Sequence, residues 1–276
     1  MEYRAKKSYA AWLGLFFGAA IFSFLFWGVQ YSLGPHDLAL KVMLYIPIYL
    51  VLAGFLYMLI GAFNIGYKIE EKNLIIYWGL TTMRIPWESI EQVIQVKGES
   101  NMYSIFGASW PGYMAGLYQA KGLGTVRMYG TQIHKGFIYV KSSNGFFGLT
   151  PADDNMIQEI ASRSSKEIEI VDMDKIPEEI KGKSAFRDGF YRMLLWVNIA
   201  FLALYAGYLA VCFPGSGAQP FVVLLLVLAV CLFFFTLGNA NRLYHFSPIG
   251  GYFLLCLGIL VTGIFLILSL SEITLK

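Results

Sequence analysis

The side chains that could catalyse a reaction are few and scattered. The three histidines, His36, His134 and His245, lie far apart, and the three cysteines fall in or beside apolar stretches. No H-E-x-x-H metal motif, no G-x-S-x-G nucleophile motif and no close pair of carboxylates within an apolar segment occurs. We therefore expect a protein that is not an enzyme and that has no catalytic residue, no metal site and no cofactor.

Anion recognition is indicated instead by a basic segment in the middle of the chain. No acidic residue occurs between Glu99 and Asp153. The same segment carries four basic residues, Lys121, Arg127, Lys135 and Lys141. Each Lys or Arg close to an anionic membrane surface gains about 1 kcal/mol of attraction. These four residues are therefore candidates for binding a lipid headgroup or a protein partner.

Aromatic residues and glycines are interleaved in the stretch FGASWPGYMAGLYQAKGLGT, residues 106–125. Trp110, Tyr113 and Tyr118 are of types that favour the membrane interface, and the glycines would let backbone N–H groups approach a phosphate. In one interpretation these three residues join the basic residues in binding a headgroup or partner. In the other, the stretch is a tight hairpin whose aromatic rings pack on the domain or on helix ends.

The composition is that of a membrane protein, since 57% of the residues are hydrophobic and 14% are charged. Long windows without charge are typical of membrane-spanning helices, which need roughly 20 apolar residues. The windows predict five helices, near Trp12–Leu33, Val42–Phe63, Arg192–Phe213, Pro220–Asn239 and Pro248–Leu270.

The orientation of the helices follows from the basic residues at their ends. Arg4, Lys6 and Lys7 precede the first apolar segment. They predict a cytoplasmic N-terminus, a cytoplasmic insert after the second helix and a C-terminus on the outside. The predicted location is a bacterial plasma membrane, crossed several times.

The insert between the second and third helices is predicted to be mainly β. Alternation and turn residues indicate strands at Tyr67–Glu70, Leu74–Trp78 and Met83–Ile85, and further strands up to residue 149. Ser143-Asn144-Gly145 is typical of a hairpin turn. Thr150 and Pro151 predict the start of an amphipathic helix, after which no further strand is expected.

Several motifs of the insert resemble those of the bacterial pleckstrin-homology-like (PH-like) domains. They are IPWESI at 85–90, then Gly107, Pro111, Gly112, Tyr113 and Gly116, then Tyr129 with Thr131, and TPAD at 150–153. Gly130 between Tyr129 and Thr131 departs from the family pattern. The resemblance implies a curved sheet or barrel closed by a C-terminal helix, and it covers none of the apolar helices. Together with the charge-free windows, it gives the expected fold class, an α-helical transmembrane bundle of five helices with an inserted PH-like domain.

The sequence thus predicts four parts: residues 1–63, a two-helix block; 64–170, the PH-like domain; 171–191, a linker; and 192–276, a three-helix block. The predicted function is a non-catalytic lipid- or protein-binding or scaffolding module. The alternative is a transporter or cell-envelope resistance factor in which the helices carry the function and the insert regulates them. The expected partners are membrane lipids, including anionic headgroups, and a protein, but no nucleic acid; the oligomeric state is not predicted.

Overall fold

The computed structural model describes residues 1–98, 102–120, 124–133, 136–177, 184–213 and 218–274. Within them lie six α-helices: α1 Ala10–Ser32, α2 Leu38–Asn64, α3 Asn155–Ser164, α4 Gly189–Cys212, α5 Pro220–Phe246 and α6 Pro248–Thr274. All except α3 are long and apolar enough to cross a membrane, which confirms the five predicted apolar helices. The largest difference between a predicted and an observed helix end is at α5, which continues seven residues beyond its predicted end at Asn239 and includes Arg242 and His245.

Eleven strands are formed by the described residues. They are β1 Glu2–Arg4, β2 Gly66–Ile69, β3 Asn73–Trp78, β4 Thr81–Pro86, β5 Ile90–Lys97, β6 Met102–Trp110, β7 Tyr113–Ala120, β8 Gly124–Thr131, β9 Phe137–Ser142, β10 Gly145–Leu149 and β11 Ile168–Asp172. The hairpin predicted at Ser143-Asn144-Gly145 is confirmed, because Gly145 pairs with Ser142 across a two-residue loop.

The strands form two sheets. The smaller sheet has the order β1-β2-β3-β4 and is antiparallel throughout. The larger sheet has the order β11-β5-β9-β10-β8-β7-β6, with parallel pairing only between β11 and β5 and between β10 and β8. These two sheets do not close into a barrel, which was one of the two predicted arrangements.

Both sheets and α3 share one apolar core. The predicted amphipathic character of this helix is confirmed, since the apolar face of α3 buries Met156, Ile157, Ile160 and Ala161. Residues from both sheets complete the core, among them Ile76, Ile85, Val93, Val140 and Leu149. The remaining face of the larger sheet carries a second cluster, which includes Val126, Met128 and Met173.

The predicted start of α3 is wrong, and so is the expectation that no strand follows it. The helix begins at Asn155 rather than after Thr150, because the Thr150 hydroxyl accepts a hydrogen bond from the Thr131 N–H at 2.7 Å instead of capping a helix. The strands also do not stop before the helix, since β11 follows it and pairs with β5. A strand at residues 2–4 was likewise not predicted.

The chain packs as two compact units. One contains residues 1–18 and 53–183, which are the sheets, α3, the start of α1 and the end of α2. The other contains residues 19–52 and 184–276. Inside this second unit the Asn198 amide, in α4, donates to the carbonyls of Leu194 and Leu255, both at 3.0 Å. The Tyr205 hydroxyl lies 2.5 Å from the Ser269 hydroxyl, so buried polar side chains join α4 to α6.

Candidate functional site

The glycine-rich stretch forms the β6–β7 hairpin, which turns at Pro111 and Gly112 with Trp110 opposite Tyr113. Gly112 has φ +81°, a conformation that L side chains rarely adopt. Further along, Gly107 and Gly116 face each other across the two strands, both at positive φ. A Cβ on either would collide with the opposite backbone. The glycines therefore serve close backbone pairing within the hairpin.

Trp110 packs the hairpin tip against the start of α1 and the end of α2, the parts of these helices that belong to the same unit. Its indole N–H donates to the Ala10 carbonyl at 2.9 Å. Its ring lies 6.2 Å from the Phe55 ring and 4.5 Å from the Tyr113 ring. Gly14 of α1 leaves room for the indole, whose nearest atom would lie 3.3 Å from a Cβ at that position.

Tyr113 provides a second contact between the hairpin and α2. Its buried hydroxyl accepts from the Trp78 indole N–H at 2.6 Å and donates to the Met58 carbonyl of α2 at 3.1 Å. Burial raises the pKa of Tyr113 well above its usual value, so the group stays a neutral donor. The Trp78 ring packs against Gly61 of α2, where a Cβ would clash with the indole. We call these contacts of Trp78, Trp110 and Tyr113 the hairpin–helix junction.

Tyr118 is also buried, and its hydroxyl donates to the Ala108 carbonyl at 2.6 Å. The three aromatic residues singled out from the sequence are thus engaged in packing and hydrogen bonds within the unit. Trp110 is the one that keeps a partly exposed side chain. The arrangement agrees with the second interpretation of the stretch, a hairpin packed on helix ends.

Two of the four basic candidates, Arg127 and Lys141, fall within the described residues, and each contacts a residue other than these rings. Lys121 and Lys135 lie outside the described residues. Arg127 is exposed and stands over the Phe147 ring, with 5.9 Å from guanidinium carbon to ring centre. Lys141 forms an ion pair with Glu91 at 3.1 Å. Binding of a ligand by these residues stays a prediction.

The N-terminal strap, residues 1–8, is a part of the site that the sequence did not indicate. It pairs with β2 on one side, and on the other its Lys6 N–H donates to the Thr150 carbonyl at 2.9 Å. The Thr131 hydroxyl donates to the Lys6 carbonyl at 2.6 Å. At the end of the strap, the Ser8 hydroxyl donates to the Gly112 carbonyl at 2.8 Å, at the hairpin tip. The strap therefore links both sheets to the start of α1.

A second polar cluster lies at the start of α4. One oxygen of the Asp188 carboxylate caps the helix by accepting from the N–H groups of Phe190 and Tyr191, and the other accepts from the hydroxyls of Tyr252 at 2.6 Å and Tyr244 at 2.8 Å. The Tyr252 hydrogen bond is the main cause that lowers the pKa of Asp188 to about 2. Asp188 was not predicted from the sequence, although a carboxylate before a helix start is a cap signal. Because four hydrogen-bond donors already bind this carboxylate, we assign it a structural role.

Metal chemistry has no visible basis in the described part of the chain, where no group of three His, Cys, Asp or Glu residues could hold an ion. The features that stand out are the hairpin–helix junction and the basic strap beside it. These can hold a domain against apolar helices and present positive charge there.

Comparison with known proteins gives one match. Residues 65–164 match the family model described as bacterial PH domain. Neither the curated proteins nor the solved structures returned a significant match. The matched segment runs from one residue before β2 to the last residue of α3, so it leaves out β1 and β11. Residues 65–164 of this chain are therefore a bacterial PH domain.

Proposed function

We propose that the protein is a multi-pass membrane protein whose PH domain is a non-catalytic binding module, held at the membrane surface to bind anionic lipid headgroups. The observation that carries this proposal is the hairpin–helix junction. It packs the domain directly on the ends of two helices that are long and apolar enough to span a bilayer.

The depth of the junction supports this position. α2 has 27 residues, about 40 Å at 1.5 Å per residue, whereas the apolar core of a bilayer is about 30 Å thick. The last turns of α2, which contact the domain, would therefore extend into the interface. Exposed Tyr9, Trp12 and Phe63 surround these helix ends, and aromatic residues of this kind are enriched at that depth.

Charge supports the choice of ligand. Arg4, Lys6 and Lys7 of the strap directly precede α1, and basic residues beside a span are attracted by anionic lipids. A membrane-facing domain needs no catalytic group for this role. A protein segment is the other class of ligand that a PH domain could take.

The experiment uses the full chain with its three cysteines replaced by serine, reconstituted in liposomes. A single cysteine at position 80 or 170 carries a fluorophore. Leu80 is 80% exposed in the β3–β4 turn, whose Gly79 approaches Gly61 of α2. Ile170 is 62% exposed on β11, six strands from β6 in the order of the larger sheet. The quenchers are headgroup-labelled phosphatidylglycerol and phosphatidylcholine.

We expect strong quenching at position 80 and weak quenching at position 170. Labelled phosphatidylglycerol should quench more than labelled phosphatidylcholine at low salt, and the difference should shrink at high salt because surface charges are screened. Equal quenching at the two positions would refute the placement of the domain. Equal quenching by the two lipids would refute the lipid ligand and favour a protein partner.

A further inference from the structure

A groove of about 790 Å³ lies beside the N-terminal strap, entirely within the first unit. Its walls are the strap, the outer face of β2 and β3 at Gly66 and Tyr77, and the facing ends of α1 and α2. This volume falls in the range of roughly 300–1,000 Å³ that is typical of small-ligand sites. Arg127 and Lys141, the two headgroup-binding candidates that the structure describes, do not line it.

The charge of the groove is positive. Among the described residues, Arg4, Lys6 and Lys7 line it, and Glu2 is the one acidic residue that does so. Arg4 and Lys7 are exposed, and within the described residues neither charged group has a hydrogen-bond or ion-pair partner. Four other basic residues do pair with acids: Lys68 with Glu70, Lys141 with Glu91, Arg163 with Glu159 and Lys175 with Asp172.

Hydrogen bonds fix the backbone from which these two side chains extend. Arg4 pairs with Gly66 in β2, and its carbonyl accepts from the Ala152 N–H at 2.8 Å. Lys7 lies between Lys6, whose carbonyl accepts from the Thr131 hydroxyl, and Ser8, whose hydroxyl donates to the Gly112 carbonyl at the hairpin tip. Binding of an anion would therefore order the two side chains but not the backbone, which lowers the entropic cost of binding.

The opposite wall of the groove is apolar. It is formed by Ala10 and Ala11 of α1 and by Ala62 and Phe63 of α2. Phe63 is about half exposed and contacts the Trp12 ring edge-on at 5.4 Å. A ligand that fills both walls has a negative head and an apolar body. A free phosphate would leave the apolar wall uncovered.

We infer that this groove binds the phosphate group of an anionic glycerophospholipid, with Arg4 and Lys7 on the phosphate and the glycerol and first acyl carbons against Ala62 and Phe63. The inference rests on the proposed function, because the lipid enters from the bilayer beside the helix ends. It adds a defined site to that function, at residues outside the matched PH segment.

The test measures lipid binding by the full chain in neutral maltoside micelles, with native mass spectrometry as the readout. The probes are dioctanoyl phosphatidylglycerol, dioctanoyl phosphatidylcholine and glycerol phosphate. The groove variant is Arg4→Gln/Lys7→Gln. The matched control, Lys166→Gln/Lys175→Gln, removes the same charge from two exposed residues that do not line the groove.

We expect phosphatidylglycerol to bind more tightly than the other two probes. At about 1 kcal/mol for each basic residue, or about fivefold, the groove variant should raise the dissociation constant about 25-fold. The control should change it less than twofold. The variant Arg4→Lys/Lys7→Arg, which keeps both charges, should restore most of the affinity and so exclude a folding defect.

Three results would overturn the inference: equal losses in the groove variant and its control, no loss in the groove variant, or glycerol phosphate bound as tightly as the lipid. The last would assign the site to a soluble phosphate. Any of them combined with strong quenching at position 80 and a preference for labelled phosphatidylglycerol would leave the proposed function standing and remove only this site.

Discussion

Replacing Trp110 by alanine should release the hairpin tip from α1 and α2. A tryptophan can bury roughly 150–250 Å², and Trp110 is partly exposed, so about 100 Å² is at stake. At about 25 cal/mol per Å² this area is worth about 2.5 kcal/mol. The hydrogen bond from the indole to the Ala10 carbonyl adds about 1 kcal/mol. Since unfolded chains already bury some surface, we expect a net loss of about 2–3 kcal/mol.

Hydrogen–deuterium exchange of the full chain in detergent micelles measures this loss at the hairpin itself. In the Trp110→Ala variant, exchange of peptides within residues 106–118 should rise about 100-fold, because 1.4 kcal/mol corresponds to a factor of ten. Trp110→Phe keeps most of the ring packing but loses the indole hydrogen bond, so it should raise exchange about fivefold. Trp196→Ala is the control, since that side chain is 66% exposed on α4, and it should leave the hairpin unchanged.

The reasoning is refuted if the alanine variant protects the hairpin as well as the wild type does. Equal effects of the alanine and phenylalanine variants would locate the stabilisation in the hydrogen bond and refute the packing contribution. A rise of similar size in Trp196→Ala would show that exchange reports on the micelle rather than on the junction.

Two further predictions concern single positions. Gly116 has φ +122°, and a Cβ there would lie against the Phe106 carbonyl. Gly116→Ala should therefore lower the free energy of unfolding by about 2 kcal/mol or more, measured by thermal unfolding. The control Gly207→Ala, whose Cβ meets nothing within 4 Å, should not lower it. Asp188 should contribute stability above the usual carboxyl pKa near 4, and this contribution should disappear as the pH falls towards its lowered pKa of about 2. The apparent melting temperature of the wild type should therefore approach that of Asp188→Asn between pH 5 and pH 2, and a constant difference would contradict the assignment.

The apolar helices were predictable because the apolar core of a bilayer excludes charged residues, and this exclusion can be read from the sequence itself. A span needs a long stretch without charge, and such a stretch is visible whatever the rest of the chain does. The end of α5 was misplaced because Arg242 and His245 are compatible with either a loop or a last helical turn. The amphipathic face of α3 was found for a similar local reason, its helical periodicity.

The junction and the strap depend instead on partners far away in the chain. The β1 strand has three residues, too few for a periodic signal, and it forms only because β2 lies beside it. Tyr113 is fixed by Trp78 and by the Met58 carbonyl, 35 and 55 residues away. Contacts between residues so far apart leave no pattern in the local sequence. The sequence alone therefore could not decide between the two interpretations of the glycine-rich stretch.

The pairing of β1 with β2 restricts how the chain can thread through a bilayer. Residues 2–4 precede α1, whereas residues 66–69 follow α2, and the two segments share a sheet. If α1 and α2 span a membrane, as we propose, these two segments lie on the same face of it, and the two helices cross as a helical hairpin. A chain in which one of them failed to cross would hold β1 and β2 on opposite faces, and β2 would become an edge strand. Formation of the β1–β2 pair is therefore expected to report that both helices have crossed.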